Sequence, residues 1–262
     1  MNNEQLKTCT VWFSEYSASF SMPVREDQRN IATKQEHTHR VCLNAVEIAA
    51  DLGLTAQETL LAETAALFHD IGRFPQYQQY RTFDDAISVN HAALGARVLI
   101  ENHVLRDLPK REQDMIVHVV ALHNVFTLPD TLDDETLLFA RLIRDADKLD
   151  ILRVVIDYLQ QDAGHRADAV ALGLPDLPEY SPAVLAALFR REMASKDELR
   201  TLNDFKLLQL AWIYDLNFMR SLRMIRERDY IRAIASTLPE NDEISRAIGT
   251  VRDYVDARLQ GR

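Results

Sequence analysis

Apolar residues recur at steps of three and four along most of the chain, the spacing of one helix face. Val41, Cys42, Ala45, Ile48, Ala49 and Leu52 form one such stripe. Gly53 ends it, and Thr55 with Glu58 three residues on forms a capping box that opens the next helix. That helix carries Leu60, Leu61, Ala65, Leu67 and Phe68 and is nearly all apolar by its end, so it is expected to be buried where it delivers His69 and Asp70. Phe74 to Ala86, polar and aromatic around Pro75, reads as a loop in which Tyr77 and Tyr80 either stack a base or plug a pocket. Ser88 is expected to cap a helix through Asn102, Lys110 to Leu122 to form another, and Asp133 or Asp134 to cap one through Leu149 and beyond. Residues 161–182 hold two glycines and three prolines and read as a connection; 183–262 are helical again, with one break at Pro239.

Composition sharpens this to an all-α fold. Average usage would give about 18 glycines in such a chain, whereas the 262 residues hold 7, too few for a sandwich or barrel with a turn every 8–12 residues. The formal charge of −10 argues against a phosphate-backbone partner. The nearest thing to a basic patch, Arg220, Arg223, Arg226, Arg228 and Arg232, is interleaved with Glu227 and Asp229 and reads as a solvated face. No apolar run approaches the roughly 18 residues of a bilayer span, and the start MNNEQLKTCT lacks a signal peptide's apolar stretch, so a cytoplasmic location is expected. Cys9 and Cys42 are too isolated for a disulfide framework or a thiolate metal site.

The chemistry concentrates where buried helices carry ionisable groups. Leaving a buried polar group unsatisfied costs about 1–3 kcal/mol, so His69 and Asp70 need partners. A divalent cation is one solution; pairing with each other or with Arg144 is another. His37 and His39 open the 41–52 stripe, and the segment RDADKLD places Asp145, Asp147 and Asp150 beside Leu142, Ile143, Leu149 and Leu152. Imidazole and carboxylate together suit Mn, Fe, Co, Ni or Zn, with Mg also open.

In order, HTHRV, ALFHDIGRF and IRDADKLDIL, with TFDDAISVNHAALGARVL and ALHN between them, resemble the HD-domain metal-dependent phosphohydrolase superfamily. The resemblance covers about residues 30–160. It implies an HD-domain helical bundle over that stretch; around it, the chain's own pattern gives an expected helical segment over 1–29, a linker over 161–182 and a C-terminal helical extension over 183–262 packed on the core. The resemblance also implies His39, His69, Asp70 and Asp147 as ligands of a divalent metal ion. His39 is preferred over His37 because it directly precedes the RV that starts the stripe, which leaves His37 as a surface residue. Asp145 is a runner-up ligand. His91 and His123 would be the family's two additional histidines, either on a second metal bridged by Asp70 or on the substrate phosphate. One tightly held metal is favoured, because no acidic residue lies beside either histidine in the sequence.

The implied activity is hydrolysis of a small phosphorylated substrate by metal-activated water, with Asp70 orienting or deprotonating that water and Arg73 and Lys148 offsetting phosphoryl charge. The alternative is a degenerate, regulatory HD domain that binds a nucleotide without turnover; filled ligand positions weigh against it. His103, His118 and His165 are read as bystanders. Trp212, Tyr214, Leu216, Phe218 and Met219 read as core at helical spacing, with a homodimer interface left open.

Overall fold

The structure, a computed structural model, describes residues 1–161 and 171–261, and every regular element in them is helical. The sequence's His165 lies outside the described residues. Two compact units divide the chain, Met1–Asp150 and Ile151–Arg262.

The first unit begins with α1 (Asn3–Ala18), opened by a capping box between Asn2 and Gln5. Its 27-residue successor α2 (Arg25–Asp51) buries Ile31, Val41, Cys42, Ala45, Ile48 and Ala49 and so extends the predicted stripe by three turns at its start. Gly53 follows at φ +69°, a left-handed conformation that an L side chain adopts only under strain. The Thr55–Glu58 box opens α3 (Ala56–Phe68), and Leu61 through Phe68 are buried apart from one half-buried glutamate, Glu63.

A tight turn over 69–72 then leads into α4 (Arg73–Tyr80), where the sequence pattern suggested a loop. Pro75 is tolerated because it sits in the first turn, where no helical N–H bond is lost. Tyr77 is buried there, its ring 4.7 Å from that of Phe83 and its hydroxyl donating to Asp27 at 2.9 Å, so it plugs the structure and cannot stack a base. Next come α5 (His91–Glu101), α6 (Lys110–Leu122) and α7 (Asp134–Leu159). Asn90, not Ser88, caps α5 by accepting from the Ala93 N–H, while Asp133 accepts from the Thr136 N–H at the start of α7.

Gly72 sets the spacing on which the site depends. A Cβ there would stand 2.1 Å from the His91 carbonyl oxygen and 2.6 Å from Gly95 N, so only glycine lets the start of α5 lie directly on the His–Asp turn.

The second unit holds α8 (Pro182–Phe189), α9 (Leu202–Ala211), α10 (Met219–Glu227), α11 (Tyr230–Ala235) and α12 (Asp242–Leu259). Every residue of α9 is buried, which makes it the centre of this unit. Leu216 is buried as well, and Tyr214 packs its ring 4.9 Å from that of Tyr254. No helix among the described residues is long and apolar enough to cross a membrane.

Candidate metal centre

Four histidines of the first unit converge with their Nε2 atoms on the carboxylate of Asp70. His69 caps the C-terminus of α3 and His123 that of α6, and each turns its Nδ1 back onto the carbonyl three residues earlier, Ala66 at 2.7 Å and Val120 at 2.8 Å. His37, on α2, directs Nδ1 to Asp150 Oδ2 at 2.7 Å. His91, at the first turn of α5, directs Nδ1 to Asp85 Oδ2 at 2.7 Å. A carbonyl or carboxylate oxygen only accepts, so each Nδ1 carries a hydrogen, and a ring in its neutral form presents a bare lone pair at Nε2.

Those lone pairs crowd together. His37 and His69 bring Nε2 atoms to 3.2 Å, and His91 and His123 to 3.0 Å. Two lone pairs at that distance repel unless a cation or a proton stands with them. Asp70 divides its oxygens between the pairs: Oδ2 lies 3.5 Å from His37 and 3.7 Å from His69, and Oδ1 lies 3.3 Å from His91 and 3.7 Å from His123. Asp147 joins the first pair, with Oδ1 3.1 Å from His37 and 3.6 Å from His69. Within each trio, His37–His69–Asp70 and Asp70–His91–His123, the ligand atoms lie within 4.8 Å of one another.

The electrostatics favour added positive charge. Burial pushes the Asp70 carboxyl upward, but Lys34, His69, His123 and Arg73 outweigh it and hold it well below the usual range. Burial acts on Asp147 in the same way and is outweighed by His37 and His69. Both carboxylates are therefore ionised. For His37, burial and Lys34 oppose a proton, yet hydrogen bonds to Asp147 and Asp150 prevail and its pKa is raised. Two helix C-termini, the negative ends of α3 and α6, add to the attraction. The donor set, three or four nitrogen and oxygen ligands per group with satisfied outer partners, fits a divalent transition ion.

The sequence's preference for His39 is corrected. His39 is exposed, its ring 5.9 Å from that of Phe13, while His37 is buried in the cluster. Two residues turn a helix by about 200°, so only one of the pair can share the face of Val41, Asn44 and Ile48, and that one is His37. Adjacency to Arg40 and Val41 misled, and the three-and-four spacing from His37 was the available signal. Asp145 is fully buried two residues before Asp147 in α7. Lys148 is half-buried on the same helix, one residue past Asp147. Arg144 donates to the carbonyls of His123, Val125 and Phe126 and thereby braces the exit of α6. His103 and His118 are exposed.

Arg73 does enter the site, with Nε 3.4 Å from Asp70 Oδ1, but its Nη1 donates to Gln76, to the Phe83 carbonyl and to Asp85 at 3.0 Å. It ties the 83–91 segment to α4. Three contributors escape the sequence pattern: Lys34, whose Nζ bonds Asp70 Oδ2 at 2.7 Å; Asp85; and Arg40, which with His37 holds Asp150. Asp85 lies beside His91 on its Nδ1 side, away from the Nε2 that faces Asp70 and His123. Next to it, Asn124 Oδ1 is buried with no hydrogen-bond partner, an acceptor left for water or ligand.

The family model for the HD domain matches residues 35–152, the stretch that contains His37, His69, Asp70, His91, His123 and Asp147. The chain carries an HD domain. No curated protein and no solved structure matches the chain. Within residues 35–152, Asp70 is the point where the two histidine pairs meet.

Proposed function

We propose that the protein is a metal-dependent phosphohydrolase that cleaves a phosphate ester, nucleotide-like or another small phosphoester, with metal held at both trios. The observation that carries this reading is the convergence of four Nε2 lone pairs on the two oxygens of one ionised carboxylate within an HD domain. His37, His69, Asp70 and Asp147 would hold one ion and Asp70, His91 and His123 the other. When bound, such ions lower the pKa of water and polarise a phosphoryl oxygen.

The protein's own groups supply the rest. Asp70, its carboxyl held far below the usual range, is suited to fixing ligands and orienting water and poorly suited to storing a proton. Asp150 and Asp85 fix the rings of His37 and His91, and Arg40 in turn fixes Asp150 with two bonds of 2.6 and 3.1 Å. Offsetting the charge that develops on the phosphoryl group would fall to the protein's own cations. Hydrolysis then joins the water oxygen to phosphorus as the ester P–O bond breaks, and the alcohol leaves with a proton.

The test is protein reconstituted separately with manganese, cobalt, nickel, zinc and magnesium and screened against phosphomonoesters and phosphodiesters. Metal-dependent turnover that is lost with chelator and in Asp70→Ala supports the proposal. Nucleotide binding with no turnover under any metal would replace it with the regulatory reading.

A further inference from the structure

Lys34 stands one helical turn before His37 on the same face of α2 and reaches the cluster from its rim, its side chain 18% exposed. Among the described residues its hydrogen bond goes to Asp70 Oδ2, at 2.7 Å, which leaves two of its three ammonium donors open. Phe83 lies beneath it, the ring centroid 5.4 Å from Nζ, and the same ring faces the Arg73 guanidinium at 5.8 Å. The two cations therefore both lie against the Phe83 ring and take one oxygen each of Asp70. Their commitments differ. Arg73 is bound to Gln76, Phe83 and Asp85 and holds a segment in place, whereas Lys34 is anchored only at the oxygen that the His37–His69 trio would also use.

We propose that Lys34 is the residue that binds the phosphoryl group of the substrate, an inference that rests on the phosphohydrolase reading above. Oδ2 cannot serve a cation at the trio and keep its full pull on the ammonium, so Lys34 is the group released toward phosphoryl oxygens. The Phe83 ring keeps the ammonium at the rim by a cation–π contact. Arg73 acts as a positioning residue for Asp85 and so for His91.

Inorganic phosphate titrated calorimetrically into manganese-loaded protein tests this, with metal content measured on the same samples. Lys34→Met should bind phosphate about 10- to 100-fold more weakly, the loss of one charge-assisted hydrogen bond, with metal content unchanged. Lys34→Arg should recover most of the affinity. On any ester that the wild type turns over, Lys34→Met should raise KM. Unchanged phosphate affinity in Lys34→Met, or loss of metal along with phosphate, would overturn the assignment and make Lys34 only a counter-ion of Asp70. Wild type that holds metal but binds no phosphate would overturn the phosphohydrolase reading itself, and this inference with it.

Discussion

Replacing Gly72 by alanine should damage the metal centre without touching any ligand. The added methyl would lie 2.1 Å from the His91 carbonyl oxygen and 2.6 Å from Gly95 N, both backbone atoms that no rotamer change can move. Restoring an ordinary 3.4 Å contact requires the start of α5 to retreat by about 1.3 Å. His91 moves with it, and its Nε2 now sits 3.3 Å from Asp70 Oδ1 and 3.0 Å from His123 Nε2, so a shift of that size takes it out of the second trio. Overpacking of this kind costs about 1–3 kcal/mol or more, a drop in Tm of about 2–12 °C for a chain of this size. Thermal melts with metal analysis on the same samples are the assay: Gly72→Ala should melt lower and hold less metal than wild type. Gly249→Ala is the control. Its Cβ would meet nothing within 4 Å, and as a mid-helix glycine in α12 it should gain about 0.5–1 kcal/mol. A Gly72→Ala protein with wild-type Tm and metal content would refute the close-approach argument.

The remaining predictions concern the ligands. His37→Ala should lose metal while His39→Ala keeps it, measured by elemental analysis after dialysis; the reverse result would restore the ligand preference read from the sequence. Metal affinity should rise with pH across the range near and above the ordinary histidine pKa of about 6.5. The reason is that the raised pKa of His37 leaves a proton competing for Nε2 below its titration, and that competition ends above it. Titrations at pH 6 and pH 8 that give equal affinity would contradict this.

Much of the fold can be read from periodicity and caps. The Thr55–Glu58 box, the Gly53 stop, the Lys110–Leu122 helix and the apolar approach to His69 all stand in the structure where the pattern puts them. The family order likewise brings His69, Asp70, His91, His123 and Asp147 into one cluster. Legibility fails where facing matters more than order. His39 is the direct neighbour of Arg40 and Val41 in the sequence, yet the 200° between it and His37, about half a turn, puts His37 in the buried cluster and His39 at the surface. It fails again where a contact is made by a segment without periodicity. Asp85 precedes α5 by six residues and reaches back to His91, and Lys34 looks like any solvated lysine until Asp70 is seen beside it. The α4 helix was hidden by Pro75, whose place in a first turn cannot be told from a loop position by composition.

If one carboxylate, Asp70, organises two metal sites, the metal stoichiometry at equilibrium must report it. Dialysis of wild type, His91→Ala and Asp70→Ala against manganese, followed by elemental analysis, should give about two ions per chain, about one, and at most a weakly held remnant, respectively. Asp70→Ala with wild-type metal content would rule out Asp70 as the shared ligand.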